Sequence, residues 1–495
     1  MSPLAPLQGH AVPESVGTMR DHFSKELLRA VGATSLPPKA QIDAYADSYF
    51  QHLYHRAPII DRADISTGQP SIIISQTMCV IGSLLRYPGI HSPLEESEAY
   101  YCRVKALLYI NHEPDQRKVL KALCILAFRN ITPPKVVSLD CSWQWIGMAT
   151  RLAHQMGFHR EETYSQLPNP GNARRIMWFL FTEDKLQTAC FGRPSLFGDS
   201  EFNIRPLELE DFEFQDIQAE LYIEYTKLNV ILGRIADRHS RKGEISHEEA
   251  TSILQSLQHW VHNLPTQLQL YAGANRRSFR RDIYEVHINY FVCLIVFFRL
   301  FGHCLPPPTA STASTASLVA SSCIARLYEE IMYRDEINYL MPINNWFLMV
   351  GFAPQIQHNS TCHGKDRLCG EELPILTDVL RHMRLKWPPA GVLLDIIERL
   401  CNVEVGGGMS DSVDVQDVQD VQATEEAWSN HLSHDLLNDL FPFPNELSPR
   451  MGLIKGGGDE QSDQVLLDRM VEFGDDDLDW IFNEYQLAFL GDPPV

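Results

Sequence analysis

Apolar side chains recur along most of this chain at three- and four-residue spacing, the period of helices with one face turned to a core. The pattern predicts helices over 41–54, 72–85, 95–110, 119–128, 143–156, 174–190, 217–237, 248–262, 281–301, 317–333 and 389–401. Strand-like alternation is nearly absent. The fold class expected is therefore all-α, a large multi-helix body running from Lys39 to Asn402. Within it, the run Ile176 to Phe181 is apolar at every position, so the helix that carries it should be mostly buried.

Other stretches break the pattern. Residues 1–38 carry Pro3, Pro6, Pro13, Pro37 and Pro38 and are expected to be a flexible leader, with an amphipathic helix around His22 to Val31 as its one candidate element. An insert at 305–317, prolines followed by the repeat Thr309-Ala310-Ser311-Thr312-Ala313-Ser314-Thr315-Ala316-Ser317, has the composition of an exposed loop. Residues 403–495 contain Gly406-Gly407-Gly408, a short Val-Asp-Val-Gln repeat from Val413 to Gln422, and Gly456-Gly457-Gly458. A segment of that kind buries too little apolar surface to offset its ordering entropy, so a disordered acidic tail is expected.

Charge sharpens this division. Of the 63 acidic and 42 basic side chains, 21 acidic and 3 basic fall in residues 403–495, which leaves the body nearly neutral. A near-neutral body offers no broad surface for phosphate, so composition gives no support for autonomous DNA binding. The 495 residues at 44% hydrophobic are ample for a large core. The longest apolar run, Tyr290 to Phe298, is well short of the roughly 20 residues a spanning helix needs, and no membrane partner is expected. Nothing in Met1 to Pro6 suggests secretion, so an intracellular address follows. The 11 cysteines are scattered without a close-spaced framework and read as buried thiols rather than disulfides.

The richest stretch is Cys141 to Pro206. Ile146, Ala149, Ala153 and Met156 share one helix face, Gly157 supplies a left-handed helix end, and Phe158 is the apolar residue that closes such a cap. Asp184, four residues after Leu180, continues a buried row and needs a cationic or amide partner, for which Arg151, Arg160 or Arg193 are candidates. Gly192 reads as a helix stop before the rigid Pro194. The simple reading of these positions is capping and cross-bracing. The sharper one is a cationic site for an acidic effector, built from Arg151, His159, Arg160 and Arg193.

Ala149-Thr150-Arg151-Leu152-Ala153, Gly157-Phe158-His159-Arg160, Arg174-Arg175-Ile176-Met177-Trp178, Asp184-Lys185 and Gly192-Arg193-Pro194 occur in the order and spacing of the regulatory domain of fungal zinc-cluster transcription factors, which this stretch resembles. The likeness extends in weaker form over roughly 39 to 356, with Met177 and Lys185 as mild departures. It implies a helical regulatory domain in a nuclear regulator of transcription, whose targets in this family are often catabolic or secondary-metabolite genes, the latter expected here, and a partner set that includes homodimers or heterodimers. The same family normally carries six cysteines holding two zinc ions in a DNA-reading module. No Cys precedes Cys79 and no Cys-x-x-Cys occurs, so zinc is expected only with a missing N-terminal cluster, and DNA contact only through such a module or a partner. The compact group His358, Cys362, His363 and Cys369 matches no common zinc spacing and reads as ordinary loop residues. Arg276, Arg277, Arg280 and Arg281 read as a solvated helix start, with nuclear import as the functional alternative.

The end of the chain combines acid with aromatics. If residues 478–489 are helical, Leu478, Phe482, Tyr485 and Phe489 share a face beside Trp480, and the preceding aspartates favour the helix start. A second island spans Asp435 to Phe443. Such tracts suit activation domains that expose aromatics to a coactivator; the plain alternative is a solvating tail with one helix docked on its own body. Asp475 to Asp479 superficially resembles the aspartate-rich magnesium motif of prenyl diphosphate enzymes, but it lies in the tail rather than in a closed helical cavity, and no enzyme activity is expected. The expected function is a nuclear transcriptional activator, with a coregulator that never touches DNA as the alternative.

Overall fold

A computed structural model describes residues 14–66, 71–86, 93–132, 136–198, 202–240, 245–305, 309–361, 366–406 and 435–455. The chain divides into two units: Met1–Gln51 with Ile60–Leu126, and His52–Ile59 with Ala127–Val495.

The first unit holds α1 (Glu14–Val31), α2 (Lys39–His52, of which all but the last residue lies in this unit), α3 (Arg62–Ser66), α4 (Ile72–Leu85), α5 (Pro93–Tyr109) and α6 (Gln116–Leu126). Its centre is α4, buried from Ile73 to Leu85 and packed against α5 and α6. A β-carbon at Gly82 would overlap Tyr45, so glycine there is what lets α2 and α4 approach. Gln76 donates to the carbonyls of Ala33 and Ser35 at 3.1 and 2.9 Å, pinning the turn after α1. The expected flexible leader is thus corrected over 14–31, where a full helix forms and its Arg29, Gly32 and Ala33 end in a left-handed cap.

In the second unit the elements are α7 (Ser142–Gln155), α8 (Glu161–Tyr164), α9 (Pro170–Phe191), α10 (Ile217–Ser240), α11 (His247–His262), a two-residue hairpin pairing Tyr271–Ala272 with Asn275–Arg276, α12 (Arg281–Phe301), α13 (Thr309–Tyr333), α14 (Ile343–Thr361), α15 (Arg367–Met383), α16 (Pro389–Gly406), α17 (435–440) and α18 (Gly452–Lys455). Helix α9 packs on α7 and α10, and α10 leads through α12 to the layer of α13, α14 and α15. The segment Arg281–Cys304 is long and apolar enough to cross a membrane by length and composition, but 89% of its most apolar window is buried inside this unit. It is the central core helix.

The composition of 305–317 misleads. Helix α13 begins at Thr309 and runs through the repeat, whose Thr312, Ala313, Thr315 and Ala316 are buried. Small side chains explain why: Ala313 lies so close to Gly302 that a β-carbon on the glycine would sit 2.9 Å away. The expected disordered tail is also corrected over 435–455, where Leu437, Leu440, Phe441, Phe443, Leu447, Met451 and Ile454 are buried. Phe441 stacks on Phe291 with 6.1 Å between ring centres, and Phe443 lies 5.4 Å from the same ring. The activation helix expected at Leu478, Trp480, Phe482, Tyr485 and Phe489 lies outside the described residues.

Candidate functional site

The expected cap on α7 forms as a Schellman turn. Phe158 N–H donates to Ala153 O and Gly157 N–H to His154 O, each at 3.0 Å, with Gly157 at φ 75° and Phe158 buried. Tyr164 Oη then donates to Phe158 O at 2.6 Å and Thr163 Oγ1 to Gly157 O at 2.8 Å, which fixes α8 beneath the cap. Helix α9 starts on Asn169, whose side chain accepts from Asn172 N–H at 3.1 Å, with Pro170 in the first turn. It stops at Gly192, left-handed at φ 61°.

Between these ends the motif residues brace. Arg174, 4% exposed, pairs with Asp211 at 2.9 Å and with Glu161, while lying over the Tyr164 ring. Asp211 also takes Arg205 at 2.8 Å, and Glu161 accepts the Arg205 N–H at 3.0 Å. Arg175 donates to Tyr54 Oη at 2.8 Å, and Trp178 Nε1 donates to Arg205 O at 2.9 Å. Asp184 finds its partners in Ser195 Oγ at 2.6 Å and Leu196 N–H at 3.0 Å, which corrects the arginine expected there. Burial still pushes its carboxyl above the ordinary range, against those hydrogen bonds. Of the four residues proposed for an acidic effector, Arg160 Nε meets His159 Nε2 at 3.0 Å, Arg193 lies over Trp143 and Phe191, and Arg151 is exposed on α7. Pro194 is exposed in the turn that follows.

The other singled-out groups are also engaged. Arg276 pairs with Glu330 at 2.5 Å and Arg280 with Asp282 at 2.5 Å; Arg277 donates its N–H to Leu270 O at 3.0 Å. Arg281 is not solvated as expected: it is buried against Glu285, with Glu336 at 3.1 Å. His358 faces Asp366 at 2.8 Å, and Arg450 reaches Asp366 at 2.9 Å and Cys369 Sγ at 3.2 Å, so one guanidinium is shared by Asp366 and Cys369. Cys362 and His363 lie outside the described residues, and among those described no group of three or more His, Cys, Asp or Glu is placed to hold a metal ion.

A cleft on the far side of α9 was not singled out by the sequence. It holds about 70 Å³ and is lined by Arg56, by Ser142 of α7, by Glu183, Leu186 and Gln187 of α9, and by Asn345 and Trp346 of α14, among others. Glu183 and Gln187 are four residues apart, so they share one face of α9. Gln187 spends its Nε2 on Ser142 Oγ at 3.0 Å, which leaves its Oε1 buried without a hydrogen bond. Asn345 Oδ1 and Trp346 Nε1 are likewise buried and unpartnered, on residues 4% and 1% exposed. Arg56 faces Tyr225 Oη at 2.6 Å and Glu285 at 3.3 Å. Burial pushes Glu183 up to about 7, although the Arg56 guanidinium draws it down. In the sequence, the available signal was a Glu and a Gln at helical spacing in the second half of α9.

Comparison with known proteins matches the description "fungal specific transcription factor domain" to residues 46–311. Among similar proteins, cutinase transcription factor 1 alpha of Fusarium vanettenii is 24% identical over 67% of this chain and 40% of its own length. The acetamidase regulatory protein of Aspergillus fumigatus is 25% identical over 63% of this chain and 42% of its own. Activator of stress genes 1 of Saccharomyces cerevisiae is 23% identical over 54% and 32%. The chain thus spans about two fifths of the length of the first two relatives. With more than half of its residues matched, this chain belongs to the family of the fungal specific transcription factor domain.

Proposed function

We propose that this protein is a nuclear regulator of transcription, an activator of genes read by RNA polymerase II, in which the helical body is the regulatory part and the acidic C-terminal end recruits coactivators. The observation that carries the reading is the family match over 46–311 together with the 18-unit excess of negative charge in residues 403–495. The packing of 435–455 into the body supports a narrower activating segment, 456–495, which holds Leu478, Trp480, Phe482, Tyr485 and Phe489. DNA contact is proposed to run through a six-cysteine zinc module or a DNA-binding partner, because the 495 residues hold no Cys-x-x-Cys pair. The relatives' names refer to a cutinase and an acetamidase, which favours catabolic genes over secondary-metabolite clusters as targets.

Fusing the full chain to an unrelated DNA-binding module is expected to activate a reporter, and replacing Trp480, Phe482 and Phe489 with Ala is expected to weaken that activation several-fold. No activation by the intact fusion would overturn the activator reading. Mapping the transcript's 5′ end separates the two routes to DNA, since an upstream exon encoding six cysteines selects the zinc module over a partner.

A further inference from the structure

The cleft sets one carboxylate, Glu183, beside one guanidinium, Arg56. Arg56 and Arg281 are matched by Glu285 and Glu336, through contacts of 3.3 Å for Arg56 with Glu285 and 3.1 Å for Arg281 with Glu336, plus the Arg281–Glu285 pair. Glu183, which Arg56 also draws on, makes no hydrogen bond to any described residue, and the buried oxygens of Gln187 and Asn345 in the same lining accept nothing. An acceptor-rich lining with a carboxylate that no hydrogen bond satisfies is complementary to a cation with several donors, and three acceptors match the three hydrogens of an ammonium group. Leu186, Phe191 and Ile343 make up an apolar wall, which suits a short alkyl stem. The unpartnered indole N–H of Trp346 needs an acceptor, which a hydroxyl on that stem would supply. A space of about 70 Å³ limits the guest to a handful of heavy atoms.

We propose that this cleft binds a small primary amine, with Glu183 taking the ammonium charge, Gln187 Oε1 and Asn345 Oδ1 accepting its remaining hydrogens, and Trp346 Nε1 donating to a hydroxyl on the ligand. The site joins α9 to α14, so an occupied cleft ties the braced motif helix to the core layer. This reading concerns ligand binding by the body and stands or falls separately from activation by the tail.

The test is calorimetric titration of the full chain with 2-aminoethanol and with propylammonium chloride, against 1-propanol as the uncharged control. Both amines are expected to bind, 2-aminoethanol the tighter, and 1-propanol not to bind. Glu183→Gln should weaken both amines at least tenfold with an unchanged circular dichroism spectrum, and Trp346→Phe should remove the advantage of 2-aminoethanol. Should Glu183→Gln not fold, Gln187→Leu is read in its place, with the same direction expected. Absence of amine binding to the wild-type chain, equal binding of 1-propanol, or undiminished amine binding by Glu183→Gln would each overturn the proposal and leave the cleft as a pocket for water.

Discussion

Tyr290 Oη donates to the backbone carbonyl of Leu440 at 2.7 Å, across 150 residues of sequence. The bond joins the central helix of the second unit to the start of what composition alone assigns to the tail. It is one of several such ties: His262 Nε2 meets Asp439 O at 2.8 Å, Ser448 lies 2.7 Å from Ser322, and Arg450 reaches Asp366.

Ending the chain before residue 435 should therefore expose the aromatic face of α12 and cause aggregation. Phe441→Ala, at a fully buried position, is expected to cost about 3–5 kcal/mol, and Tyr290→Phe about 1 kcal/mol. Urea denaturation followed by circular dichroism measures both.

Glu183 gives the protein a pH dependence of definite sign. Its folded value of about 7 lies above the ordinary 4.5, so between these the native state holds more protons than the unfolded chain, and stability falls as pH rises through that window. The groups facing it are Arg56, Tyr222 and Tyr225. Glu183→Gln should reduce the loss of stability between pH 5 and pH 8 by about 1–3 kcal/mol. Equal losses in the two proteins, measured by urea midpoints at each pH, would contradict this.

The brace on α9 is a buried network, and opening it should be costly. Arg174→Ala leaves Asp211, 5% exposed, with half of its cationic partners, and is expected to destabilise by about 3–5 kcal/mol. Asp211→Asn should cost a similar amount, and the double variant less than the sum, because both changes break one network. Thermal unfolding of the three variants tests the coupling.

Two glycines should respond differently to a methyl group. Gly82→Ala forces α2 and α4 apart at Tyr45 and is expected to cost more than 2 kcal/mol. Gly157→Ala has to adopt φ 75° but meets only the Thr163 side chain, at 3.1 Å, and should cost about 1 kcal/mol. A smaller effect at Gly82 than at Gly157 would contradict the packing described.

Much of this fold is legible in the periodicity. The expected 72–85 and 281–301 agree with Ile72–Leu85 and Arg281–Phe301 because both helices are apolar on nearly every side and sharply bounded. Helices α14 and α15 escape the same reading because Pro354 and Pro374 lie inside them and present as breaks. The α7 cap and α9 stop are legible because a glycine at a helix end has few alternative uses. The partner of Asp184 is not, since Ser195 and Leu196 reach it only after the chain turns at Gly192. The cleft beside α9 is hidden for a related reason: Glu183 gains its character from burial and from Arg56, which comes near it only in the folded chain.

The repeat at the start of α13 constrains the gene as much as the protein. A helix advances about 100° per residue, so a gain or loss of one Thr-Ala-Ser unit rotates everything before it by about 60° relative to everything after it. In a loop such a slip would pass unnoticed, and tandem repeats are where replication slips. Here the remaining threonines, alanines and serines would keep their faces, each taking the place of its like three residues on, and the change would fall on the connection from Gly302, which has to meet a helix start shifted by about 4.5 Å. Natural variants of this chain are therefore expected to differ by substitution within 309–317 and not by its length.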